Sequence, residues 1–204
     1  MSDDRALFAA WAAGDNVAGQ TLIERHYDAI VRFFRTKAPH ASDDLVQRTF
    51  LRLAEARERY RGDASVRSYL FAIARNVLLE YIRGKTRDAK VDPDFGVSSL
   101  HELDPGVSTV AVARSDQRLL IEALQRIPLE MQMTLELYYW EDLSVAELAE
   151  VLAIPPGTVK SRLHRGRTLL REAMEVLPAA PEDLASVREL IDRWASGVRH
   201  ALPQ

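Results

Sequence analysis

Apolar residues recur at intervals of three and four along most of the chain. A period near 3.6 marks helices that bury one face, whereas strands show a period of two. The chain is therefore expected to be all-α. In the N-terminal half the pattern runs through Leu7, Phe8 and Trp11, then Leu22, Ile23, Tyr27, Ile30, Phe33 and Phe34, then Leu45, Val46, Phe50, Leu51 and Leu53. Turn-forming residues interrupt it at Gly14-Asp15-Asn16, Pro39 and Gly62-Asp63. A fourth helix is expected from about Ser65 through Tyr69, Leu70, Ile73, Val77, Leu78 and Ile82, ending at Gly84 because helix C-termini favour glycine.

Periodicity fails across VDPDFGVSSLHELDPGVS, residues 91–108, which carries two prolines and two glycines. This stretch reads as a flexible linker, extended here to 91–114, between two small helical domains at 1–90 and 115–177. Helices are expected at 115–127, 129–140, 144–153 and 158–176, with Ser144 and Glu147 forming a capping box and Thr158 capping the last. Beyond them, residues 178–204 place Leu184, Val187, Ile191, Trp194 and Val198 on one stripe. That C-terminal amphipathic helix should pack on the second domain or on a partner.

Several function classes are disfavoured. Without cysteine there is no disulfide or thiolate site, and His26, His40, His101, His164 and His200 are scattered without ligand spacing, so neither a metal nor a cofactor is expected. No run approaches the length of a membrane span, and the opening Met1-Ser2-Asp3-Asp4 is acidic where a signal peptide is basic. A cytoplasmic protein with no membrane contact is expected. The net charge of -3 conceals two basic islands. Residues 48–90 hold eleven Lys and Arg against five acids, residues 91–118 reverse the balance, and Lys160, Arg162, Arg165, Arg167 and Arg171 form the second island. Two separated contacts with nucleic acid are implied.

The most informative segment is LSVAELAEVLAIPPGTVKSRLHRGRTLL, residues 143–170. A short capped helix, a turn of about four residues and a longer helix with Val159, Leu163 and Leu170 inward make a helix-turn-helix. Its basic residues lie largely off the apolar stripe, where a recognition helix presents them to bases and phosphates. Upstream, Asp43, Asp44, Gln47, Arg48 and Leu51 share one side of a helix that can dock on another helix.

Residues 129–174, with PPGTVKSRLHRGRTLLRE, resemble the promoter-binding fourth domain of sigma factors. DDLVQRTFLRLAEA followed by SYLFAIARNVLLEYIR resembles the second sigma domain of the extracytoplasmic-function group. The likeness covers roughly 22–90 and 116–174 and leaves no room for a first or third sigma domain, as in that minimal group. It implies a binding protein without catalysis, partnered by core RNA polymerase and promoter DNA. Asp43, Asp44, Gln47, Arg48 and Leu51 would dock on the clamp helices of the largest polymerase subunit. Arg61, Arg67, Tyr69, Arg75, Asn76 and Arg83 would form the −10 surface, with the loop 61–66 capturing an unstacked base. Thr158, Lys160, Ser161, Arg162, His164 and Arg165 would read the −35 element, and the acidic linker would thread through the enzyme.

Two rivals carry less weight. A stand-alone helix-turn-helix regulator would bind its operator without polymerase, and an enzyme built on Asp43 and Asp44 lacks a facing partner, because adjacent helical residues diverge. One departure from the family pattern bears on regulation: Ala41, Ser42 and Arg48 stand where more acids are usual. A phosphate on Ser42 or Thr49 would supply the missing charge; the plainer reading makes Ser42 the N-cap of a helix starting at Asp43. An anti-sigma factor and a Ser/Thr kinase are thus the candidate regulatory partners.

Overall fold

The computed structural model describes residues 3–60, 62, 64–88, 94–96, 98–103 and 115–177. Among these the α-helices are α1 (Asp4–Ala12), α2 (Asn16–Arg35), α3 (Ser42–Ala56), α4 (Val66–Asp88), α5 (Leu100–Leu103), α6 (Ser115–Arg126), α7 (Leu129–Tyr139), α8 (Val145–Leu152) and α9 (Pro156–Glu175). The described residues contain no strand beyond one isolated bridge, Ser99 to Pro128. The expected C-terminal helix lies outside the described residues.

Several helices start where side chains replace missing backbone partners. Asp15 caps α2, accepting from the Val17 and Ala18 amides at 2.9 and 3.2 Å, after Gly14 turns the chain at φ 103°. Ser144 and Glu147 form the expected capping box on α8. Three ends differ from the sequence reading. Helix α4 continues past Gly84 to Asp88 because Thr86 is buried and its hydroxyl donates to the Ile82 carbonyl at 3.0 Å. Helix α9 begins at Pro156, so Thr158 lies within its first turn and caps nothing; proline suits that first position, whose N–H would lack a helical partner anyway. Helix α3 begins at Ser42 with Ala41 as N-cap, which removes the capping role given to Ser42.

Helices α1–α4 form an N-terminal bundle around Phe8, Leu22, Phe34, Leu45, Phe71 and Leu78. Trp11 lies so close to α2 that a Cβ on Gly19 would stand 2.5 Å from the indole, so only glycine permits this approach. The C-terminal bundle surrounds α7, which buries the polar Gln132, Thr134 and Glu136 along with Leu129, Met133, Leu135 and Leu137. The expected linker is in part bound instead of free. Phe95 and Ser98 carbonyls accept from the Glu130 and Leu129 amides, each at 3.1 Å, while Leu100 and Leu103 are buried.

The two bundles also pack against each other, α4 on α8 and the end of α2 on α7. Burial on both sides of this contact places charged groups in the interior, and each has found a partner.

Candidate functional site

On α3, Asp43, Asp44, Gln47, Arg48 and Leu51 are all exposed, and the opposite face carries the buried Leu45, Val46, Thr49, Phe50 and Leu53. The helical period thus delivers the expected face. Leu51 keeps 55% of its surface in water, an apolar centre ringed by polar groups. Arg48 Nε lies 2.8 Å from Asp44 Oδ2, so Arg48 partly neutralises one of the two acids. Tyr27, part of the apolar pattern on α2, is 48% exposed and stacks on Phe50 with ring centroids 6.2 Å apart.

The two phosphorylation candidates are less accessible than their neighbours. Thr49 is 0% exposed and its hydroxyl donates to the Leu45 carbonyl at 2.8 Å. Ser42 is also buried, with its hydroxyl 3.3 Å from Asp43 Oδ1. The geometry therefore runs against a kinase target at either position in this fold.

The proposed −10 residues are brought to one helix but not to one open surface. Asn76 and Arg83 are exposed, and Arg83 lies over the Phe95 ring at 5.2 Å. Tyr69 is half-buried against Tyr60, ring centroids 5.1 Å apart, which limits its use as a stacking platform. Arg67 donates to Glu141 Oε2 at 2.9 Å across the bundle contact. Arg75 is half-buried, its Nε without a hydrogen-bond partner. Burial chiefly depresses its guanidinium below the ordinary value; the Glu130 charge opposes this, while Arg162 and Arg83 add to it. Arg61 lies outside the described residues.

On α9, Lys160, Ser161, His164 and Arg165 are exposed along the side opposite Val159, Leu163 and Leu170. Thr158 is half-buried. Arg162 departs from expectation: it turns toward α7, half-buried, and pairs with Glu130. Helix α8 meets α9 through a left-handed Ala153 (φ 55°) and the Pro155-Pro156 turn.

Sequence reasoning missed the charges at the bundle contact. The Lys37 side chain is 0% exposed, donates to the Phe33 carbonyl at 2.9 Å and pairs with buried Glu136. Glu136 also accepts from Thr36 Oγ1 at 3.1 Å and from Gln132 Nε2 at 2.8 Å. Burial pushes the Lys37 ammonium below its ordinary value, and the Glu136 carboxylate counteracts it. Glu141 accepts from Arg32 at 3.0 Å as well as from Arg67. One signal was available: Glu136 sits within MQMTLELYYW, a segment too apolar to be a surface helix, so its carboxylate required an internal partner.

Comparison with known proteins agrees with this geometry. The sigma-70 region 2 family matches residues 22–88, and sigma-70 region 4 matches residues 117–170. The ECF RNA polymerase sigma factor SigM of Mycobacterium tuberculosis strain H37Rv is 30% identical over 176 residues, 85% of this chain and 86% of that protein. Among solved structures, CnrH in complex with the cytosolic domain of CnrY is 24% identical with a TM-score of 0.57, covering 84% of this chain and 97% of CnrH. The sigma factor RpoE in complex with the anti-sigma factor NepR from Bartonella quintana is 20% identical with a TM-score of 0.62, covering 77% and 96%. These two likenesses concern the fold, whereas the sequence matches decide the family. The chain belongs to the extracytoplasmic-function sigma factors, alternative sigma factors that direct RNA polymerase to promoters in transcription initiation.

Proposed function

We propose that residues 1–90 form the domain that docks on core polymerase and opens the −10 element, that 115–177 form the domain that reads the −35 element, and that 91–114 connect them. The extension 178–204 lies outside the described residues. The observation that carries this reading is the exposed face of α3, where Asp43, Asp44, Gln47, Arg48 and Leu51 stand together in water on a helix whose other side is core. Lys160, Ser161, His164 and Arg165 are the side chains of α9 best placed to enter a major groove. The protein acts by binding, and the phosphodiester chemistry belongs to the polymerase.

The closed packing of the two bundles fits an unloaded form. Arg67 is held by Glu141 of the other bundle and Arg75 is partly covered, so engagement of the −10 element requires the bundles to part. CnrH and the Bartonella quintana RpoE were each solved with a bound partner, the latter an anti-sigma factor. A partner of that kind, holding this chain closed, is favoured over a kinase by the buried hydroxyls of Ser42 and Thr49.

Run-off transcription with purified core enzyme on a genomic promoter library tests the reading. Lys160→Ala and Arg165→Ala should each weaken −35 recognition by on the order of 1–3 kcal/mol while core affinity stays unchanged. Sequence-specific binding in the absence of core enzyme would support the stand-alone regulator instead.

A further inference from the structure

Helix α1 precedes residue 22, where the region 2 match begins, yet it is firmly held. Its Asp4 pairs with Arg25 and lies 2.7 Å from Nε2 of buried His26. Between α1 and the loop that follows α3 lies a cleft of about 480 Å³, lined by Arg5, Phe8, Arg57, Tyr60 and Gly62 among others. The two guanidinium groups have no carboxylate partner among the described residues: Arg57 donates to the Ala54 carbonyl at 3.4 Å and lies 6.0 Å from the Trp11 ring, and Arg5 is exposed. Glu58 is the acid among the described lining residues.

The cleft adjoins the loop implicated in −10 binding. Gly62, at φ 77°, turns that loop so closely onto α1 that a Cβ would stand 2.7 Å from Arg5 Nη2. Tyr60 lies between Phe8, at 4.6 Å, and Tyr69 of α4, at 5.1 Å. One ring therefore separates the cleft from the helix that carries Tyr69 and exposed Asn76. Guanidinium forks suit phosphate oxygens, and two of them beside an aromatic wall suit a single strand leaving the loop.

We infer that this cleft is a phosphate-binding site for the single-stranded non-template DNA, with Arg5 and Arg57 as its cations. The inference rests on the proposed −10 surface, extending it onto a helix outside the region 2 match. The test uses full-length protein assembled with core polymerase and a labelled single-stranded oligonucleotide carrying the non-template −10 region of a promoter identified by run-off transcription. Arg5→Ala and Arg57→Ala should each lower oligonucleotide affinity roughly tenfold and flatten the salt dependence by about 0.7 in the log–log slope, with core affinity and urea midpoint unchanged. Arg5→Lys should retain the slope. Asn76→Ala is the control for the −10 surface. If it weakens binding while both arginine variants bind like the parent, the phosphate site is overturned and the −10 surface stands. If all three bind like the parent, the −10 surface itself is wrong and the inference falls with it. A matching loss of core affinity in the arginine variants would overturn the site in favour of a polymerase contact.

Discussion

The proposed docking face on α3 and the proposed −10 groups on α4 belong to the same small bundle, yet they are presented differently. All five docking residues stand in water. Of the described −10 residues, Arg67 is tied to Glu141, Arg75 is half-covered, Tyr69 leans on Tyr60, and only Asn76 and Arg83 are exposed. Helix α8 packs on α4, and Glu141, just before α8, is the group that holds Arg67. Under the proposed function such an arrangement would separate two events, with polymerase engaged by the closed protein and promoter reading waiting for the bundles to separate.

The largest effect should come from the buried pair that closes the contact. Glu136→Ala leaves the Lys37 ammonium in the interior without its carboxylate and frees Thr36 and Gln132 of their acceptor, so closure should be destabilised by roughly 3–5 kcal/mol. Urea unfolding of the variant checks this, and Lys37→Met combined with Glu136→Leu should recover most of the loss, because a matched apolar pair needs no desolvation of charge. Parental stability in the single variant would break the contrast between open and covered regions.

A smaller effect sharpens the open side of the comparison. Arg48 and Asp44 are each more than half exposed, so their pairing contributes less than about 1 kcal/mol to stability. Arg48→Glu should therefore leave the fold intact and raise core affinity by a few-fold, a gain that added salt erases. Surface plasmon resonance at two ionic strengths reads both features. Weaker core binding would show that Arg48 is itself a contact and not a deficit of acid.

The smallest effect is a pH dependence at the covered side. Burial alone would raise the Glu147 carboxyl, but hydrogen bonds from the Ser144 amide and hydroxyl, with further help from Ser65 and Arg67, hold it below the usual carboxylate value. A carboxyl lowered in the folded state contributes stability that is fully present above its unfolded value and is lost as pH falls through the folded one. The contribution should stay below about 1 kcal/mol at this half-exposed position. Acid should thus loosen the start of α8 and its contact with Ser65, and Glu147→Gln should unfold in urea with a shallower pH dependence between neutral pH and the acid limb.

What was legible in the sequence was local. The capping box at Ser144, the turn at Gly14-Asp15 and the exposed face of α3 each depend on residues within one or two turns, and the structure has them where the spacing requires. Gly84 misled because its usual stop signal was outweighed by the packing of Thr86 one turn from Ile82. Thr158 misled because proline at 156 already opens the helix. Arg162 reads as a groove-facing cation until α7 brings Glu130 beside it. Lys37 and Glu136 are 99 positions apart, and nothing in either neighbourhood names the other. Helical periodicity reports which face is buried, not which distant helix buries it.

The distance between the bundles, measured with and without polymerase, tests the central claim most directly. Because the chain has no cysteine, Gln20→Cys on α2 and Glu172→Cys on α9, both at exposed positions, provide unique sites for a donor and acceptor dye. Free protein should give a single high-transfer population that shifts to low transfer when core polymerase and promoter DNA are added. Low transfer in the free protein, or high transfer retained in the promoter complex, would contradict a closed form that must open to read DNA.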